Sequence, residues 1–201
     1  MLKICNEYVC VTLSACVHCD KKCTLSQVVE KKQSVMNLEH LQENRFRQIV
    51  SRFQQLNDAL AILAPIQSVT SKDMLVLHGV VNTNTSNDLI DDLSWLREVQ
   101  HIAFFYLRAE NGVRVVFSDG VFCELSLHEP QDLQSELPPD WQLNWQLSGY
   151  KLAGFPNIQV NTREPNKDWL SGELLTNLVI GLRAFVKGEK FSAFQAIQQQ
   201  S

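Results

Sequence analysis

Apolar residues recur at helical spacing at Leu38, Leu41, Phe46, Ile49, Val50, Phe53, Leu56, Leu60 and Leu63. This predicts a helix over 38–63, with Arg45, Arg47 and Arg52 on or near its wet side and Pro65 as its stop. The period then changes. Met74-Leu-Val-Leu77 reads as a short buried strand ending at His78-Gly79, followed by the polar turn Asn82–Asn87. Leu89–Val99 predicts a helix with Trp95 and Leu96 turned inward, and the aromatic run His101–Leu107 predicts a strand. Asn111-Gly112 and Ser118-Asp119-Gly120 are turn signals that fold the next two apolar runs, Val113–Phe117 and Val121–Leu127, into a meander.

Beyond the meander, Pro138-Pro139, Trp141 and Trp145 surround an expected strand, Gln142–Leu147. These aromatics, interleaved with Gln and Asn, serve either as a stacking platform for a planar ligand or as clamps for a loop on a sheet. Leu170–Val186 is a second strong helix, with Leu174, Leu175, Leu178, Val179, Leu182 and Phe185 on one side; Gly188 closes it. A further helix begins at Phe191 and is expected to be cut short, since it has no partner after it. The order of helix, strand, helix and meander predicts an α/β or α+β fold: a mixed sheet flanked by helices. Residues 1–35 are expected to stand apart from the core, 36–165 to form the α/β domain, and 166–201 to form a C-terminal helical segment.

Glu124 is the residue in this pattern that points to chemistry. It alternates with Phe122 on the second hairpin strand, and carboxylates are seldom buried without a partner or a metal. His128 lies two pairs along on the same face, so Glu124 and His128 form either an acid–base pair or part of an outward polar face. Cys123 points the other way and reads as a buried thiol. His78, at a strand end, is either a base or ligand or a satisfied histidine at a sheet edge.

Composition changes this picture little. The chain has 201 residues and a net charge of −4, with 45% hydrophobic residues. No basic footprint marks a nucleic-acid partner and no apolar run is long enough for a membrane helix; the expected location is the cytoplasm. Five of the six cysteines lie within residues 1–23. Cys16-Val-His-Cys19-Asp-Lys-Lys-Cys23 has the close spacing of a zinc or iron–sulfur knuckle, with His18 as a spare ligand, but a second Cys pair at the usual distance is missing, which argues against zinc at Cys16, Cys19 and Cys23. Leu13-Ser14-Ala15-Cys16 has the form of a lipoprotein cleavage box, and Asn6 and Glu7 interrupt the apolar stretch such a signal needs.

The segment Gly181–Gln198, with its basic positions, Gly188-Glu189-Lys190 and Ala196-Ile197-Gln198, resembles a segment of small antibiotic-type nucleotidyltransferases of the lincosamide adenylyltransferase-like branch. Trp95-Leu-Arg-Glu-Val99, the Asn111-Gly112 turn and the Glu124 strand are similar to the middle of that family in order and spacing, so the resemblance covers roughly residues 95–198. It implies magnesium-dependent transfer of a nucleoside monophosphate from ATP or another nucleoside triphosphate to a hydroxyl of a small molecule, such as an antibiotic. Divalent cations would neutralise charge on the phosphoryl oxygens. Under this resemblance Glu124 corresponds to the third, catalytic carboxylate, and Asp88 and Asp91 join it as metal-ligand candidates. Arg183, Lys187 and Lys190 are the candidates for phosphate or acceptor binding. The partners implied are a nucleotide and a small acceptor, and a homodimer in which the final helix finds cover.

The chain departs from the family at its first motif. His78-Gly79-Val80 stands where Gly-Ser is expected, and Ser86–Asp92 holds no Asp-x-Asp. Asp88 and Asp91 are three apart, so a strand would turn them to opposite faces, while a helix would make them an ordinary acidic first turn. Two further readings therefore stand beside the enzyme: an inactive nucleotidyltransferase-fold binding or interaction module, and a Cys-rich metal or redox module on an inert scaffold. In an inactive chain without cations near Glu124, Glu124→Gln is expected to be neutral or stabilising.

Overall fold

The computed structural model describes residues 5–6, 9–10, 25–66, 74–109, 111–156, 167–189 and 191. The chain divides into two compact units, Met1–Val35 and Met36–Ser201. In the first, β1 (Cys5–Asn6) pairs antiparallel with β2 (Val9–Cys10). The Cys16–Cys23 segment, where the missing second Cys pair argues against zinc, lies outside the described residues. The helix α1 (Leu25–Phe53) supplies its residues from Met36 onward to the second unit.

The second unit is built on a six-stranded mixed sheet. In chain order its strands are β3 (Ala59–Pro65), β4 (Met74–Val81), β5 (Ile102–Ala109), β6 (Gly112–Phe117), β7 (Phe122–His128) and, after the short β8 (Leu133–Ser135), β9 (Trp141–Gln146). Their spatial order is β5-β6-β7-β4-β3-β9. The β4–β7 pairing is parallel and the other four are antiparallel. The expected meander is present as β5-β6-β7, and β7, which carries Glu124, is an inner strand. Two short helices, α2 (Ser86–Asp91) and α3 (Ser94–Arg97), cross from β4 towards β5, and α4 (Lys167–Lys187) follows the sheet. β10 (Phe155–Pro156) pairs with β8 apart from the main sheet. The α/β class, a mixed sheet flanked by helices, is as expected. Among the described residues no helix is long and apolar enough to cross a membrane.

Three local expectations are overturned. The helix predicted over 38–63 ends at Phe53, and Ala59–Pro65 is a strand buried along its whole length. Ala59, Ile62 and Ala64 enter one core, Leu60, Ala61 and Leu63 the other. A run of small and apolar residues buried on both faces carries no period that separates strand from helix. The turn at Leu56-Asn57-Asp58 breaks the chain, and the Asn82 amide donates to the Asp58 carbonyl at 2.8 Å to start the β3–β4 pair. The helix predicted over 89–99 is divided at Asp92, whose carboxylate accepts from the Ser94 amide and hydroxyl, so that α3 begins afresh. Arg45, placed near the wet side by periodicity, is buried. Its guanidinium pairs with Asp119 at 2.5 Å, donates to the Val99 carbonyl and stacks over the Phe117 ring.

The sheet buries its two faces differently. One face, carrying Leu75, Leu77, Val113, Val115, Cys123 and Leu125, packs under Ile49 and Phe53 of α1 and under Ile90, Leu93, Trp95 and Leu96. Period-2 alternation turns Tyr106, Arg114, Glu124, Ser126 and His128 to the opposite face. There α4 lies over β5 and β6, and Leu133, Trp141 and Phe155 cover the β3–β4 side.

Candidate functional site

Strand register assembles the site. Across the sheet, Tyr106 pairs with Arg114, Arg114 with Glu124, and Glu124 with Val76, so one row crosses four strands on the α4 face. Counting back across the Ser118-Asp119-Gly120 turn places Arg114 opposite Glu124, and Gly120 adopts φ 84°, a conformation that costs glycine little. The helix above comes close because Gly172 has no side chain: a Cβ there would lie 2.4 Å from the Tyr106 ring. At that distance Thr176 reaches the Tyr106 hydroxyl at 3.3 Å, and Glu173 reaches down to Arg114.

The result is a closed square of two guanidiniums and two carboxylates. Arg114 donates through Nη2 to Glu124 at 2.6 Å and through Nη1 to Glu173 at 3.0 Å. Arg108 donates to the other Glu124 oxygen and lies 3.5 Å from Glu173. Arg114 also donates to the Tyr106 hydroxyl at 2.9 Å. The Arg114 side chain is 5% exposed, those of Glu124 and Glu173 are 18% and 17%, and Arg108 reaches solvent at 35%. Burial would by itself lower the pKa of Arg114, but the charges of Glu124, Tyr106 and Glu173 and the hydrogen bond to Glu124 outweigh it, and the pKa is raised. Burial pushes the Tyr106 hydroxyl upward against the opposing charge of Arg114. Two positive and two negative charges at this separation cancel, and each carboxylate is hydrogen-bonded as buried charge requires.

The other predicted site residues lie elsewhere. Asp88 and Asp91 are exposed on α2, a short helix whose preceding turn is held by Glu129, which accepts from the Asn84 amide and the Ser86 hydroxyl. Among the described residues no group of three or more His, Cys, Asp or Glu side chains could hold a metal ion, so Asp88, Asp91 and Glu124 are not brought together. Arg183 donates to the Gly120 carbonyl and stacks over the Phe122 ring at 4.7 Å. Lys187 is the last residue of α4, and Lys190 lies outside the described residues.

His128 is not paired with Glu124. Its Nε2 lies 2.8 Å from His78 Nδ1, the two rings stack at 15°, and Asn111 Nδ2 lies 3.3 Å from its Nδ1. His78 and His128 thus share one hydrogen bond, one ring donating and the other accepting. His78 belongs to an inner strand, not to a sheet edge, and Trp141 and Phe155 close around it with ring centroids at 4.7 and 5.8 Å. Burial, with the charge of His128 as the second cause, lowers His78 to about 3; burial lowers His128 to about 4. Both rings are neutral at physiological pH. Trp141 therefore clamps a buried histidine pair. Cys123 is fully buried, and burial raises its thiol well above the ordinary range, as expected of a packing residue.

Sequence reasoning missed Arg108, Arg114 and Glu173. Arg114 was legible: a lone cation in an apolar strand, placed opposite Glu124 by the hairpin register. Glu173 was not, because only the docking of α4 brings it to the sheet.

No family model matches the chain, and no curated protein matches it. Among solved structures the chain is similar to an aminoglycoside 6-adenyltransferase from Bacillus subtilis, with 11% identity and a TM-score of 0.35 over 79% of this chain and 61% of that one. The chain thus spans less than two thirds of that protein's length, and a likeness at that level bears on no residue of the site.

Proposed function

We propose that this chain is a nucleotidyltransferase-like α/β module that works by binding a protein partner and does not itself transfer nucleotides. The observation that carries this reading is the state of Glu124. Both of its oxygens are taken by guanidiniums, Arg108 on one and Arg114 on the other, and Glu173 completes the charge balance. A carboxylate that serves as base or metal ligand needs a free lone pair directed at the reacting group. Here the lone pairs hold two arginines of the neighbouring strands, which Glu173 in turn ties to α4. The resemblance of residues 95–198 to small nucleotidyltransferases supports the family side of the reading, and the departures at His78-Gly79 and Ser86–Asp92 support the loss of transfer. Magnesium, a nucleoside triphosphate and a small acceptor belong to the catalytic reading.

One experiment separates the two readings. Titrate magnesium and ATP into the parent chain and into Glu124→Gln by calorimetry, and record thermal melts of both. The expected result is no magnesium-dependent ATP binding by either chain. Glu124→Gln should be destabilised by about 1.5–3 kcal/mol, because it leaves Arg114 with a weaker acceptor in a nearly closed site. The cations around Glu124 thus reverse the expectation that this change is neutral or stabilising. Tight magnesium-dependent ATP binding by the parent, lost in Glu124→Gln at unchanged stability, would restore the enzyme.

A further inference from the structure

α4 is built the wrong way round for a helix that only covers a sheet. Its buried positions are small or polar: Gly172, Thr176, Gly181 and Ala184. Its large apolar residues face out, with Leu170 55%, Leu174 54%, Leu178 44%, Leu182 45% and Phe185 61% exposed. A surface helix ordinarily turns its large apolar stripe to the core. With Leu175, also half exposed, the stripe presents roughly 500 Å² of apolar surface, at the upper end of what single soluble domains expose without a partner.

We infer that this stripe is an interface between two copies of this chain, packed antiparallel about a two-fold axis at Leu178. Three properties select a second copy as the occupant. First, the stripe is nearly symmetric about Leu178, because Leu174 and Leu182 lie four residues to either side, and Leu170 and Phe185 lie eight and seven away. A two-fold contact requires that residue i meet j while j meets i. Here Leu178 meets its own copy, Leu174 meets Leu182, and Leu170 meets Phe185. Second, the charges suit an antiparallel pair. Between Trp169 and Leu182 the one charged residue is Glu173, and it is turned inward to Arg114. No like charges therefore oppose each other across the axis. The same operation sets the first turn of one helix, which holds Asp168, beside the last turn of its copy, which ends at Lys187, with the two helix dipoles antiparallel. Third, two such faces together remove roughly 1,000 Å² from water before their flanks are counted, which reaches the size of a specific interface.

This names the partner that the interaction-module reading calls for and rests on that reading for its meaning, but its test is separate. Sedimentation velocity on the full chain at micromolar concentration should show a dimer. Leu178→Glu places a carboxylate against its own copy at the axis. It should raise the dimer dissociation constant by roughly 100-fold or more while the circular dichroism and melting of the monomer stay native. Leu178→Cys gives a positive readout that does not depend on that variant folding. Under mild oxidation it should yield a self-crosslinked dimer above the background set by the parent's own 6 cysteines, and Leu170→Cys should not. A parent chain that is monomeric at tens of micromolar would overturn the inference. So would a dimer that survives Leu178→Glu, which would place the contact elsewhere, or crosslinking of Leu170→Cys in preference to Leu178→Cys. Magnesium–ATP binding would sink the proposed function and leave these outcomes unaltered; a monomer would sink the dimer and leave the reading of Glu124 standing.

Discussion

His78 and His128 share one hydrogen bond in a site walled by Trp141 and Phe155, and neither can take a proton without burying a charge. In the unfolded chain both titrate near the ordinary 6.5, whereas in the folded chain burial holds them at about 3 and about 4. The unfolded state therefore binds more protons over the interval between these values. The stability this contributes is full above pH ~6.5 and is lost as the pH falls towards the folded values, by up to about 1.4 kcal/mol per pH unit for each ring that stays neutral. Urea unfolding followed from pH 7 down to pH 5, above the ordinary carboxylate range, should show the midpoint falling steadily. The double change His78→Phe with His128→Leu should flatten that dependence. An unchanged slope in the double variant would show that other groups carry it.

At the scale of elements, α4 and β5 meet at Gly172. Alanine in place of glycine ordinarily favours a helix by about 1 kcal/mol. Here the added Cβ would sit 2.4 Å from the Tyr106 ring, well inside contact distance. The helix would have to lift, which would stretch the Thr176–Tyr106 and Glu173–Arg114 bonds together. Gly172→Ala should therefore lower stability by about 1–3 kcal/mol despite the better propensity. A raised melting temperature for Gly172→Ala would show that the helix docks less closely. The hairpin turn is a second joint: Asp119 accepts from Arg45 of α1, and the Gly120 carbonyl accepts from Arg183 of α4. Adjacent residues of one turn thus tie the two long helices to the sheet.

Across the whole second unit, the main core is organised around Phe53. Its ring packs edge-on to Trp95 with centroids 5.9 Å apart, and a Cβ at Gly79 would lie 2.8 Å from it. It thus links the end of α1, the start of α3 and the middle of β4 in one contact. Phe53→Ala should cost about 3–5 kcal/mol by leaving a cavity among groups that cannot all collapse into it. Guanidinium unfolding would read this as a shift of midpoint at an unchanged slope. A loss below about 1 kcal/mol would mean that α1 contributes little to the core.

The sequence alone determined the meander, the α/β class and the inward set of Glu124, because turn residues and period-2 alternation are local properties. The Arg114–Glu124 pairing was legible by counting across the hairpin turn, but Arg114 was missed. It did not determine that Ala59–Pro65 is a strand. A run buried on both faces has no period, and its partners β4 and β9 come from far along the chain. Nor did it decide the meaning of Glu124. A carboxylate facing inward is a catalyst or an anchor according to what approaches it, and Glu173 and Arg108 approach it only once α4 lies on the sheet and β5 lies beside β6. The separation of Asp88 and Asp91 from Glu124 and the pairing of His78 with His128 have the same cause: the parallel β4–β7 crossover, a non-local contact, sets which side chains meet. Spacing along the chain limits the groups that can face one another, and packing chooses among them.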